Sequence, residues 1–360
     1  MPQEFSNLAY YLGKQIFSNK KLWIALGNLE TKLIKNKLSI ESPDEPIYIT
    51  GLARSGTTLM LENIVQNPDC TSHRYRDFPM VFTPYIWNKL LSFCDLFTQI
   101  SKKHERSHQD GVEISAKSPE ALEEILWESF FADLHNDNIE NILPENTQNK
   151  EFSQFYFQHI NKLLLARSSK RYVTKANYNI TRLHYLLKLN NSSKAIIMVR
   201  DPVSHINSIV RQDRIFSESH RKNPKTKHFM HMSGHYEFGL DKKLINIDVE
   251  KFTKIQKQFN TGNDIKAWAM YWSMVYNYAK SLIEQLPKSN VMLCRYEDLC
   301  NDPKNTLKEI YQFCNLAPSN DLLNTQSSNI RGLSVPNEIN KNNIKDIISI
   351  TKPIANYFGY

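Results

Sequence analysis

Cysteine is scarce in this chain, and what there is does not pair. The 360 residues include Cys70, Cys94, Cys294, Cys300 and Cys314, with no Cys-x-x-Cys spacing among them. An odd, scattered set argues against a disulfide frame and fits reduced thiols in the cytoplasm. A membrane-length apolar run is also missing. The longest clean one is Ala195–Val199, far below the ~18 residues a span requires. Met1–Lys20 lacks the apolar core of a signal peptide, and no internal repeat or low-complexity tract suggests a solenoid or a disordered chain. These absences lead to the expectation of a soluble, cytoplasmic globular protein.

What is present is ordinary in bulk and basic in balance. The 41% hydrophobic content, over this length, can bury a sizeable core. Lys and Arg number 45 against 37 Asp and Glu, a net charge of +8. That excess suits an anionic ligand or partner, without choosing among nucleic acid, a nucleotide and a sulfated polymer.

Four short β-rich runs, Pro46–Gly51, Arg171–Lys175, Ala195–Arg200 and Val291–Arg295, read as buried strands. Helical patterns lie between them. Ser118-Pro119-Glu120 has the make-up of a helix start, with Leu122, Ile125, Leu126 and Phe130 following on one face. Ile180, Leu183 and Leu187 repeat at helical spacing, as do Ile265, Trp268, Trp272, Val275 and Leu282, a stripe expected to be core packing. Asp302-Pro303 opens a last helix, with Leu307, Ile310 and Cys314 inward.

Strands alternating with helices predict an α/β fold: a P-loop-type three-layer sandwich with a mostly parallel central sheet and helices on both faces. We expect a single domain over residues 1–360 with its core at about 46–316. Residues 1–45 read as a helical N-terminal extension, 214–262 as an insertion or lid, and 317–360 as a C-terminal segment.

The first strand runs directly into Gly51-Leu52-Ala53-Arg54-Ser55-Gly56-Thr57-Thr58, and a helical pattern follows. This layout aims backbone N–H groups and a helix N-terminus at a phosphate. Its glycines are spaced as in the triphosphate loop GxxxxGK[ST], yet Thr57 stands where that motif has lysine, and the cation is Arg54. Without the lysine, the loop suits a single phosphate–sulfate group better than a metal-bound triphosphate.

The stretch GLARSGTTLM resembles the 5′-phosphosulfate loop of sulfotransferases that use 3′-phosphoadenosine 5′-phosphosulfate (PAPS). Arg54, Gly56, Thr57 and Thr58 satisfy the family's Arg-x-Gly-Thr-Thr pattern, and Ser55 sits inside it. A second motif is similar too. The family holds the 3′-phosphate with a strand-end arginine and a serine eight residues on; Arg200 and Ser208 have that spacing, with Asp201-Pro202 between. The arginine can fork onto two phosphate oxygens while the hydroxyl completes the site.

Weaker likenesses extend further. Val291–Leu316 looks like the family's late strand–helix unit, with Tyr296 where tyrosylprotein sulfotransferases bring a tyrosine near the nucleotide. Those enzymes carry another arginine twelve residues after the strand-end one, where this chain has Gln212 beside Arg211. Tyr75–Pro79, and Asp110-Gly111 with Ser118–Glu120, are similar to a branch of bacterial sulfotransferases. The resemblance implies PAPS as sulfuryl donor, no metal, and a hydroxyl acceptor such as a carbohydrate or glycan.

Transfer to a hydroxyl needs a base for the acceptor proton and stabilisation of charge on the bridging oxygen. Arg54 is expected to supply the second. For the first, Asp77 is the leading candidate and His73 the next, with a salt bridge to Arg74 or Arg76 as the competing role for Asp77; Glu113 and Lys117 lie further out. His228, His231 and His235 have metal-compatible spacings but sit in a polar insertion and are expected to lack an acidic or cysteine co-ligand, so they read as solvated residues. Basic Arg221, Lys222, Lys225 and Lys227 would suit an anionic glycan. Two rival readings stand beside this one: a P-loop kinase using Glu297 or Asp298 as metal ligands, and a basic non-enzymatic binding module.

Overall fold

The chain order that places the site is set by five parallel strands. In the structure, a computed structural model, residues 7–39, 41–95, 104–105, 113–333 and 341–360 are described. The strands are β1 (Ile47–Thr50), β2 (Cys70–Thr71), β3 (His104–Glu105), β4 (Glu113–Ile114), β5 (Arg171–Lys175), β6 (Lys194–Val199) and β7 (Val291–Arg295). The main sheet runs β2-β5-β1-β6-β7, every pairing parallel, while β3 and β4 form a separate antiparallel pair. The chain passes from β1 to one side of the sheet and returns for β6 on the other. This reversal at β1 opens a crevice at the carboxyl ends of β5, β1 and β6, where open parallel sheets bind ligands.

Both faces of the sheet are covered, as its continuous apolar strands require. Successive residues of β1 and β6 point to opposite sides. Tyr48, Ala195, Ile197 and Val199 join one core with the helices Lys150–Arg167, Pro202–Lys222 and Asp264–Gln285. Ile47, Ile49, Ile196 and Met198 join the other, with the helices Thr57–Ile64 and Pro303–Phe313. The three-layer α/β arrangement agrees with the sequence reading.

One local expectation needs correction, and two local features add to the sequence reading. Ser118-Pro119-Glu120 does not start a helix: Pro119 bridges Arg74 across the chain and Glu120 N–H donates to His73 O at 2.9 Å, so the helix begins at Glu124. Tertiary pairing there outcompetes a good local cap. The stretch 214–262, polar and weakly periodic in sequence, is largely helical. Helix Pro202–Lys222 runs into it, and helices Pro224–Met232 and Val249–Asn260 follow. Its buried apolar residues, Phe216, Met232, Tyr236, Phe238, Leu244, Ile245, Phe252 and Ile255, are split between these helices and the turns joining them, so no single period runs through it. The edge strand β2 went unread because it is only two residues long. Residues 7–33 are helical as expected, in helices Asn7–Ser18 and Lys20–Leu33. Asp110-Gly111 lies outside the described residues.

Candidate functional site

The loop after β1 is built where only certain residues fit. Gly51 has φ +138°, and a Cβ there would meet Met198 O at 2.4 Å; Gly56 has φ +99°, and a Cβ would meet the Tyr296 ring at 2.6 Å. Arg54 is a non-glycine residue in the left-handed region, at φ +74°. That conformation costs an L-residue about 1–2 kcal/mol, and such strain concentrates at functional sites. Thr57 and Thr58 form the first turn of helix Thr57–Ile64, whose leading N–H groups have no partner within the helix.

The two motifs, far apart in sequence, meet here. Arg54 Nε donates to Ser208 Oγ at 3.2 Å, and Arg200 Nη1 donates to the Arg54 carbonyl at 3.2 Å. The Arg200 guanidinium lies 4.6 Å from the centre of the Tyr296 ring, a stacking that fixes the plane of its fork. Arg200 Nε is buried without a hydrogen-bond partner, which leaves a donor open at this point. Ser55 Oγ is buried near the Tyr276 hydroxyl without meeting hydrogen-bond geometry. Arg54, Ser55, Gly56, Thr57, Thr58, Arg200, Ser208 and Tyr296 thus share one locale.

His205, which the sequence reading passed over, holds the loop from beneath. Its Nδ1 accepts from Trp272 Nε1 at 3.1 Å, so Nε2 carries the proton it donates to Ala53 O at 2.8 Å. Burial drives its pKa down to about 3, with Arg200 and Arg54 adding to the effect against the Ala53 bond, so the ring is neutral. Trp272, expected to be core packing, also positions this histidine.

A cluster of polar side chains adjoins the loop. Lys175 ends β5 in register with Ile49 of β1, and Thr50 Oγ1 donates to Asn177 O at 3.2 Å. Asn177 Nδ2 donates to Glu237 Oε1 at 2.7 Å, and the two stand at a mainly apolar cavity lined by Leu52 and Ala53 of the loop and by Ile209, Phe238, Leu244 and Trp268. His235, 24% exposed, stands with Nε2 at 3.6 Å from Glu120 and Nδ1 at 4.0 Å from Glu237. Burial would raise the Glu120 carboxyl, but His235, Lys175 and hydrogen bonds from Tyr75 and the Ala121 amide hold it below its ordinary value. The expectation that His235 has no acid near it is corrected: two carboxylates flank it, Glu237 from two residues along the chain and Glu120 from a distant segment. His228 instead hydrogen-bonds Tyr10 OH at 2.8 Å. Among the described residues no group of three His, Cys, Asp or Glu side chains could hold a metal ion. Lys175 was missed although a lysine at the carboxyl end of a parallel strand is a readable signal.

Asp77 and His73 are enclosed elsewhere. Both are 1% exposed. Arg167 Nη2 donates to Asp77 Oδ1 at 2.7 Å and also to Oδ2, and Asn88 Nδ2 and the Arg74 amide donate as well. Burial alone would raise this carboxyl, but His73 and Arg167 hold it far below the usual range. His73 Nδ1 is 3.6 Å from Asp77, and its Nε2 faces His159 Nε2 at 3.0 Å. The salt bridge anticipated for Asp77 exists, but its cation is Arg167, not Arg74 or Arg76. Arg211 is exposed, Gln212 is buried, and Glu113 is exposed on β4. Glu297 accepts from the Asp201 amide at 3.0 Å and from Tyr360 OH, which occupies a carboxylate that a kinase would need on its metal.

Residues 44–345 match the family described as "Sulfotransferase domain". The fold is similar to that of sulfotransferase STF9 from Mycobacterium avium, with TM-score 0.55 and 11% identity over 99% of this chain and 87% of that one. Sulfotransferase STF1 from Mycobacterium tuberculosis H37Rv aligns at TM-score 0.45 and 14% identity, over 93% of this chain and 81% of that one. No curated protein sequence matches the chain.

Proposed function

Since the chain belongs to the sulfotransferase domain family, we propose that it moves a sulfuryl group from PAPS to a carbohydrate hydroxyl. The carrying observation is the junction of Arg54, Arg200 and Ser208, which joins two phosphate-directed motifs through bonds spanning 146 and 154 residues. In this reading the 5′-phosphosulfate lies on Arg54–Thr58. The 3′-phosphate lies on Arg200 and Ser208, and Tyr296 backs the arginine fork. The S–O bond to the phosphate breaks as the S–O bond to the acceptor forms, and adenosine 3′,5′-bisphosphate leaves with the bridging oxygen. Arg54 and the loop amides stabilise the charge gathering there. No step in this scheme calls for a metal.

The acceptor proton goes to His235, which the Glu120 and Glu237 carboxylates orient beside the loop. Asp77, the leading candidate from sequence, is a weaker choice because Arg167 keeps it ionised and covered, and His73 is equally enclosed. The cluster of Glu120, His235, Glu237 and Asn177 offers the hydrogen bonds that sugar hydroxyls take, and its carboxylates favour a neutral saccharide over a polyanion. Free, buried Cys70, Cys294, Cys300 and Cys314 fit a reducing cytoplasm.

The test is nucleotide discrimination. Arg200→Ala should lower affinity for adenosine 3′,5′-bisphosphate about 100-fold, from two charge-assisted bonds at roughly 1.5 kcal/mol each. Affinity for adenosine 5′-monophosphate should hardly change. Calorimetry showing an unaltered preference between the two would remove the 3′-phosphate site from the proposal.

A further inference from the structure

The helix Lys20–Leu33 is apolar on two sides, and only one of them is used by the fold. Ile24 and Gly27 face inward with Glu30. Leu22, Leu29 and Leu33, spaced seven and four apart, form an outward ridge that is 57%, 50% and 68% exposed. The neighbouring helices extend it. Leu8 and Leu12 are exposed at a four-residue interval on helix Asn7–Ser18, and Ile86 and Leu90 at the same interval on helix Pro84–Asp95. Glu30 ties the second and third of these together by accepting the Ile86 amide at 2.7 Å.

The exposed charge on the first two of these helices is basic. Lys14, Lys21 and Lys32 are exposed there, Lys35 and Lys37 just beyond, and Lys89 on the third helix. The one acid of helices Asn7–Ser18 and Lys20–Leu33 is Glu30, 1% exposed and bound to Lys162 at 3.0 Å. On these two helices apolar side chains therefore stand among lysines with no exposed carboxylate, while Glu128 pairs with Lys20 and exposed Glu151 lies beside Lys21 at their edge. A second copy of this face would bring lysine against lysine, which disfavours self-association. An anionic lipid surface meets both features, taking leucines at the level of its headgroups and lysines on its phosphates.

We propose that these helices dock the enzyme on an anionic membrane surface, lying on it rather than crossing it; no described helix is long and apolar enough to cross. The full-length chain should co-sediment with vesicles of phosphatidylcholine containing about a third phosphatidylglycerol at least 10-fold better than with pure phosphatidylcholine, and 0.5 M salt should remove most of that preference. Leu29→Glu with Leu33→Glu should lower binding by 10-fold or more, while melting temperature and nucleotide binding stay unchanged, because both side chains are outside the core. Lys32→Glu with Lys35→Glu should weaken binding without altering the ridge. Equal binding to the two vesicle types, no binding to either, or a dimer that dissociates in the Leu29→Glu, Leu33→Glu variant would each overturn the proposal.

Discussion

Arg54 holds a strained backbone and a charged side chain at one position, and substitutions can separate the two. Arg54→Ala keeps the left-handed φ and loses the bond to Ser208, so it should cost about 1 kcal/mol of stability. Arg54→Gly loses the same bond but relieves about 1–2 kcal/mol of backbone strain, of which roughly 0.4–1 kcal/mol is returned to the freer unfolded chain. The glycine variant should therefore be more stable than the alanine variant by about 0.5–1 kcal/mol, a melting difference of about 1 °C for a protein of this size. Catalysis should not follow that order. Both variants lose the cation beside the bridging oxygen and should fall about 100- to 1000-fold, with Arg54→Lys recovering part of the loss. The assay transfers labelled sulfate from PAPS to glycan and lipid extracts of the producing cell, alongside thermal melts. Transfer by the glycine variant at the wild-type rate would refute the role of Arg54. A loss confined to the less stable alanine variant would show that strain, not charge, was being measured.

Two more predictions separate the buried acid from His235. Asp77→Asn should destabilise the fold by about 3 kcal/mol at neutral pH, because Arg167 is left buried without its anion. Since the folded-state pKa of Asp77 is depressed, its contribution is present above the unfolded value near 4 and fades as pH falls through the folded one. The gap between wild type and variant in melting temperature should therefore close in acid, and a gap independent of pH would contradict the ion pair. His235→Gln should leave melting temperature and nucleotide affinity intact while lowering turnover by about 100-fold or more; undiminished turnover would assign the proton to another group.

What could be read from the sequence was whatever is local. The loop Gly51–Thr58 declares itself because glycines, arginine and hydroxyls sit in one contiguous stretch between a strand and a helix. Arg200 and Ser208 do so because one strand end and one helix turn hold both. The polar cluster could not be read that way: Glu120 comes from the segment after β4, Lys175 and Asn177 from the end of β5, and His235 with Glu237 from the turn after helix Pro224–Met232. Each is unremarkable among its own neighbours in sequence, and His235, with only Glu237 close in the chain, looked solvated until remote Glu120 was found beside it. Asp77 shows the same limit in reverse. Its cation lies 90 positions away at Arg167, and with only Arg74 and Arg76 in view the sequence left a salt bridge and a role as base side by side. A buried carboxylate gripped by a fork is poorly placed to take a proton, whereas a partly exposed imidazole between carboxylates has a face left for an acceptor. Placement across elements, which parallel-sheet topology decides and residue type does not, is therefore the reason the proposed base lies at His235 rather than in the segment after the loop helix.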